Sequence, residues 1–173
     1  MRLRLRGWIG DDDGISFPKA CILTPMGFKE DFPDLEQQNY PSLLPGTYTL
    51  TSDCTDDYNC VAWAADDDST CWWPWEGYFW PPGVTFEESL AAFTEAFATL
   101  GYEQCPDGDL EPGWEKVVIF AKGSEPKHVA RQIESGAWTS KLGGSRDIEH
   151  ELEAVSGPYY GKPALFLKRL RRL

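Results

Sequence analysis

Cys60 and His128 are the residues whose types and surroundings could do covalent chemistry. A cysteine attacks as its thiolate, and the unsatisfied N–H groups at a helix start favour that charge. In Asp56-Asp57-Tyr58-Asn59-Cys60-Val61-Ala62-Trp63-Ala64-Ala65, acidic N-cap residues precede Cys60, Trp63 and Ala64 on one helical face. That spacing predicts a buried helix with Cys60 in its first turn. The base should be an imidazole on a rigid strand. His128 opens HVARQI, where His128, Ala130 and Gln132 project from one strand face and the small Ala130 leaves room for a helix beside the imidazole. A third polar group must fix the imidazole tautomer, with Asp147 the first choice and Ser140 on the following strand the second. The backbone N–H of Cys60, with Asn59 or Gln132, would hold an oxyanion, and Trp63 and Trp73 would wall the cleft. The competing reading makes Cys60 a plain core residue among Val61, Ala62 and Trp63. Asp147 would then serve a helix dipole, and His150, the other histidine, is predicted to face solvent.

The elements that must position these side chains fall into three stretches of one domain spanning residues 1–173. Residues 1–55 are punctuated by Gly14, Pro18, Pro25, Gly27, Pro33, Pro41, Pro45 and Gly46, which predicts an irregular, short-stranded wrap. Within it RLRLRGWIG and TYTLTSD alternate at period two, as strands do. Residues 56–101 read as the helical part. They include CWWPWEGYFWPPG, whose prolines force its aromatics to pack as a loop. A second helix follows, with Thr85 and Glu88 as a capping box, an apolar stripe of Phe86, Leu90, Phe93, Phe97 and Leu100, and Gly101 at its end. Residues 114–170 read as an antiparallel sheet: strands WEKVVIFA, HVARQI, AWTSKL and PALFLKRL, with one helix over 145–155 carrying Ile148, Leu152 and Val155. The expected class is therefore α+β.

Charge and composition exclude several functions. The 173 residues hold 16 Lys+Arg against 28 Asp+Glu, a formal net charge of −12. Seven of the sixteen bases lie in the terminal runs RLRLR and KRLRR, so the span between carries 9 bases against 28 acids, or −19. Such a body repels a polyanion, which argues against nucleic acid as a partner. The basic ends are expected to pair at a sheet edge or to lie against the acidic body. No run of about 18 apolar residues occurs, and the N-terminus lacks an apolar signal region, so a cytoplasmic protein with no membrane partner is expected. The five cysteines, irregularly spaced and without an export signal, are expected to be thiols. Cys54, Cys60, Cys71 and His128 match no zinc spacing, the acidic triplets 11–13 and 66–68 lack the calcium-loop alternation, and no phosphate-binding glycine motif is present. No metal or cofactor is expected.

Two resemblances sharpen the expectation. The order of a Cys-bearing helix start, a WEKVVIF strand, a His-led strand and a Trp-Thr-Ser strand resembles the papain-like fold, closest to NlpC/P60-type peptidases and amidases. The phrases Tyr58-Asn59-Cys60-Val61-Ala62-Trp63-Ala64, Trp72-Trp73-Pro74, His128…Arg131-Gln132 and Trp138-Thr139-Ser140-Lys141-Leu142-Gly143 also resemble an uncharacterised, mainly bacterial domain family, over roughly residues 32–170. The papain-like resemblance implies a helix-first α+β fold, with Cys60 as nucleophile and His128 as base, acting on the amide or isopeptide bond of a protein or peptide. NlpC/P60 domains often carry a histidine on the strand after the catalytic one, where this sequence has Ser140. The alternative function is a catalytically inactive protein-interaction module that uses the Trp-rich loop and the acidic surface.

Overall fold

The computed structural model describes residues 40–143 and 145–172; the RLRLR segment and Cys21 lie outside them. Within those residues the chain runs β1 (Tyr48–Leu50), α1 (Cys60–Ala64), α2 (Leu90–Ala98), β2 (Glu103–Cys105), β3 (Trp114–Lys122), β4 (Glu125–Gln132), β5 (Trp138–Lys141), β6 (Asp147–His150), a 3₁₀ turn (Leu152–Val155) and β7 (Lys162–Leu170). The strands form one antiparallel sheet in the order β1-β6-β5-β4-β3-β7-β2. The papain-like α+β layout is thus not what forms. Seven paired strands dominate, and the two helices are short. Helix α1 ends after five residues because Asp66 takes a left-handed φ of 69°, beyond which a helix cannot continue.

Strand β3 explains the layering. Val117, Val118, Ile119 and Phe120 are all fully buried, a continuous apolar run because both faces of the sheet are covered. Val117 and Ile119 join Val129 and Leu167 beneath α1 and α2, with Phe93, Phe97, Trp72 and Trp80. Val118 and Phe120 join Ala130, Trp138 and Ile148 on the other face. There they lie under Tyr40 and Leu43 and under the segment that links β6 to β7, represented by Ala154, Val155 and Tyr160. Those two strands are separated by β5, β4 and β3 in the sheet, so the link must cross all three. We call it the strap. Its end is fixed at Gly161, φ 80°, where an added Cβ would lie 2.0 Å from the carbonyl oxygen of Ala121. Pro126 and Pro163 sit beside the register shifts of β4 and β7 against β3, where a missing N–H costs no ladder bond.

Three expectations change for identifiable reasons. Segment 145–155 is not a helix: its apolar spacing is overridden because β6 pairs on both sides, with β1 and with β5. Helix α2 starts at Leu90 with Ser89 as its cap, later than the capping box at Thr85 predicts. Thr85 is held away, its carbonyl accepting from Trp80 Nε1 and its N–H donating to Glu95, and Phe86 is left 58% exposed. Strand β2, short and polar, was not expected. The C-terminal basic run does lie against the acidic body: Lys168 pairs with Glu111, Arg169 with Glu115, and Arg169 and Arg172 reach the Leu100 carbonyl just past α2, where cations complement the helix dipole.

Candidate functional site

Cys60 is indeed the first residue of α1, yet it is only 7% exposed and belongs to the core under the helices, in one cluster with Val129 and Val117. Burial pushes its pKa up to about 11, although the backbone amides of Val129, Val61 and Cys60 itself act in the opposite sense. Burial thus works against the expected thiolate, and a helix of one and a half turns does not offset it. His128 is fully buried on the opposite face, packed against Phe120 and stacked on Tyr160 with ring centroids 3.9 Å apart. The backbone of β4 itself stands between the two groups. A nucleophile and its base must come within hydrogen-bond reach, and this geometry does not support acyl transfer through Cys60 and His128.

The other expected site residues have different partners. Asp147 lies on the helical face, 2% exposed, where its Oδ2 accepts from the Tyr58 hydroxyl at 2.6 Å and its backbone N–H donates to Ser52 Oγ. Ser140 does meet an imidazole, but that of His150: Ser140 Oγ and His150 Nε2 are 2.9 Å apart. His150 Nδ1 lies 2.7 Å from the Glu151 carbonyl, which only accepts, so Nδ1 carries the proton and Nε2 accepts from Ser140. His150 is 2% exposed, not solvent-facing, and burial lowers its pKa to about 4. Serine and imidazole are both sealed in the core, where no substrate reaches them. Asn59 caps α1 through Ala62 N–H and clamps both backbone groups of Trp72, so its amide is committed. Gln132 is likewise spent on the Gly108 and Gly136 carbonyls. Cys54 is disulfide-bonded, against the all-thiol expectation, while Cys60, Cys71 and Cys105 are free. Among the described residues no group of three or more His, Cys, Asp or Glu could hold a metal ion, and no helix is long and apolar enough to cross a membrane.

Trp63 and Trp73 do not wall a thiol cleft. Trp63 stacks on Tyr58 with centroids 5.7 Å apart, lies under the Arg131 guanidinium and donates to Thr139. Lys141 Nζ covers the Tyr58 ring at 4.7 Å, so Lys141, Tyr58, Trp63 and Arg131 form a connected series of cation and ring contacts joining α1 to the sheet. Trp73 packs edge-on against Phe93 and Trp75.

What the loop does present is an aromatic edge between carboxylates. Trp72 and Trp80 anchor it in the core, whereas Tyr78 and Phe79 remain 42% and 41% exposed. Phe79 contacts the Trp72 ring, whose Nε1 donates to Asp67 at 2.8 Å. Tyr78 contacts Trp75, whose Nε1 donates to Glu88. Each exposed ring is thus one aromatic contact away from an acid. Asp66, Asp67 and Asp68 line a shallow hollow of about 150 Å³ with Trp63. Asp66 is held low by Arg131, while for Asp67 burial is outweighed by bonds from Ser69 and Trp72. Between Lys29 and Lys116 the chain has no Lys or Arg, and residues 40–115 carry fifteen Asp and Glu. The sequence points to this loop and to an acidic surface as a binding feature, but not to Tyr78 and Phe79 as its exposed rings; the charge surroundings are visible in that base-free stretch.

No curated protein and no solved structure matches the chain. A family model described as a domain of unknown function (DUF7689) matches residues 49–168, beginning inside β1 and ending inside β7. The match takes in strands of both sheet edges, both helices and the aromatic loop, and the chain belongs to that domain family.

Proposed function

We propose that this domain is a non-catalytic protein-interaction module whose docking surface is the aromatic edge of loop 71–80. The observation that carries the reading is the pairing of two exposed rings, Tyr78 and Phe79, with flanking carboxylates in a stretch that contains no base. Aromatic rings are efficient interface anchors, and carboxylates beside them select the sign of the partner's charge. The partner this favours is a polypeptide segment bearing Lys or Arg next to apolar side chains, the cations meeting both acid and ring face. The loop is suited to hold such a surface rigidly because Asn59, Asp67 and Glu88 fix its backbone or indoles from outside the loop.

The test is selection from a random dodecapeptide library displayed on phage, against the wild-type domain and a Tyr78→Ala/Phe79→Ala variant. Enrichment of peptides combining Lys or Arg with apolar residues is expected, with affinity at least tenfold weaker for the variant at unchanged thermal stability. Enriched peptides that bind both proteins equally, or no enrichment at all, would overturn the proposal.

A further inference from the structure

On the opposite face of the sheet, and independent of the docking surface, lies a feature that the proposed function does not use. His128 is fully buried, and neither ring nitrogen has a hydrogen-bond partner among the described residues. The ring is clamped between Phe120 of β3 and Tyr160 of the strap, the latter nearly parallel to it at an interplanar angle of 13°. Tyr160 is in turn held by the Tyr40 hydroxyl at 3.0 Å. We propose that the strap is an acid-released latch and that His128, lying beneath Tyr160, is its trigger.

Several elements face this imidazole. From β3 comes Phe120, which is apolar. From the strap comes Tyr160, which offers a ring face, its hydroxyl being engaged with Tyr40; Tyr159 packs on both tyrosines. The thiol of Cys60 acts on Tyr160 from the helical side, and burial keeps that thiol neutral. From β6 comes His150, whose charge has the same sign and disfavours a second cation. Among the described residues no carboxylate contributes to the charge of His128. Desolvation, followed by His150, accordingly holds it neutral well below the ordinary imidazole range.

A neutral imidazole survives in this slot, but an imidazolium, with two donors and a full charge, does not. It can form only when the stacked lid leaves. The lid is lightly anchored: its regular structure is one 3₁₀ turn and the reciprocal Gly157–Gly161 bridge, with backbone bonds of 2.8 and 2.9 Å. His150 stands at the foot of the strap, where its Nδ1–H bond to the carbonyl of Glu151 is kept in both protonation states, so its charge does not require the lid to leave.

The magnitude follows from linkage. An exposed imidazole titrates near 6.5, so each unit of pH below that favours the open strap tenfold; between pH 7.5 and 5.0 the open population rises by about 30-fold through His128 alone. The test is amide hydrogen exchange on the full chain at both pH values, expressed as protection factors to remove the intrinsic pH dependence of exchange. The amides of Gly157 and Gly161 are expected to lose about 30-fold protection at pH 5.0 and, opening locally, to stay well below the protection of Val118 and Ile119 in β3 at both pH values. In His128→Phe, which retains an aromatic ring against Tyr160, the loss at the two glycines should shrink below threefold. Unchanged strap protection in the wild type, equal loss in the variant, or strap protection no lower than that of β3 would each overturn the proposal. Should the variant fail to fold, the wild-type His128 Cε1–H resonance decides: a midpoint near 6.5 with the strap still protected refutes the latch.

Discussion

Tyr58→Phe tests the assignment of Asp147 as a structural carboxylate. The hydroxyl of Tyr58 donates to Asp147 Oδ2 at 2.6 Å, Asp147 is 2% exposed, and its Oδ1 has no partner among the described residues. Lys141 stands opposite Asp147 in the β5–β6 register, yet its ammonium donates to the Ser145 carbonyl at 2.5 Å. Removing one hydroxyl therefore strips the buried carboxylate of its side-chain donor and lets no water in. A hydrogen bond to a charged group contributes about 1.5–3 kcal/mol, and the deleted group leaves a desolvated partner behind. We expect a loss of about 2 kcal/mol, equivalent to a fall of about 4–8 °C in Tm for a chain of this size. Urea denaturation should show a lower midpoint at unchanged m-value. In a double-mutant cycle with Asp147→Asn, the coupling should exceed 1 kcal/mol on the order expected for residues in direct contact. A Tyr58→Phe loss below about 0.5 kcal/mol, the level of an ordinary surface change, would refute the reasoning.

Other outcomes follow from the same structure. At pH 7.5 iodoacetamide should label the half-exposed Cys71 before Cys60, whose pKa of about 11 leaves roughly one thiol in several thousand ionised; a fast phase lost in Cys60→Ala would contradict this. The folded-state pKa values of His128 and His150 lie below that of a free imidazole, so the unfolded chain takes up protons first as pH falls. Their contribution to stability is full above about 6.5 and is lost from there down toward the His150 value of about 4, with a slope of up to about 2.7 kcal/mol per pH unit for the two together. Urea midpoints measured from pH 7.5 to 5 check the slope, which should halve in His150→Asn. Gly161→Ala forces a Cβ to 2.0 Å from the Ala121 carbonyl oxygen at a left-handed φ; a loss of about 3 kcal/mol or more is expected, read by thermal denaturation, because both strain and a displaced strand contribute.

Much of the sheet was legible because its strands carry their own signals. Trp114–Ala121 reads as strand from an unbroken apolar run, and His128, Ala130 and Gln132 were correctly placed on one face. What the residues could not reveal was which face receives α1. A strand has only two faces, and a shift of parity moves every side chain to the other side. Ala130 was read as room for a helix, whereas it lies on the face the strap covers, and α1 sits over Val129. That single parity separates a nucleophile–base pair from two unrelated core residues. Residues 145–155 failed differently, because Ile148, Leu152 and Val155 suit a helix until two neighbouring strands claim the first of them. The exposure of Tyr78 and Phe79 was hidden since loop packing is set by tertiary anchors such as Asp67 and Asn59, far from any local period.

The sheet order has a consequence for how the chain comes to be folded. Strand β1 pairs with β6 and β2 with β7, so Tyr48 meets His150 and Glu103 meets Lys168. As the polypeptide emerges from the ribosome, α1, α2 and the aromatic loop precede the strands that will cover them. Pairings so distant in sequence slow folding and leave apolar surface waiting. During that wait the fifteen carboxylates of residues 40–115, with no base among them, favour repulsion between exposed copies, and the bases that pair with Asp66, Asp107, Glu111 and Glu115 all come later in the chain.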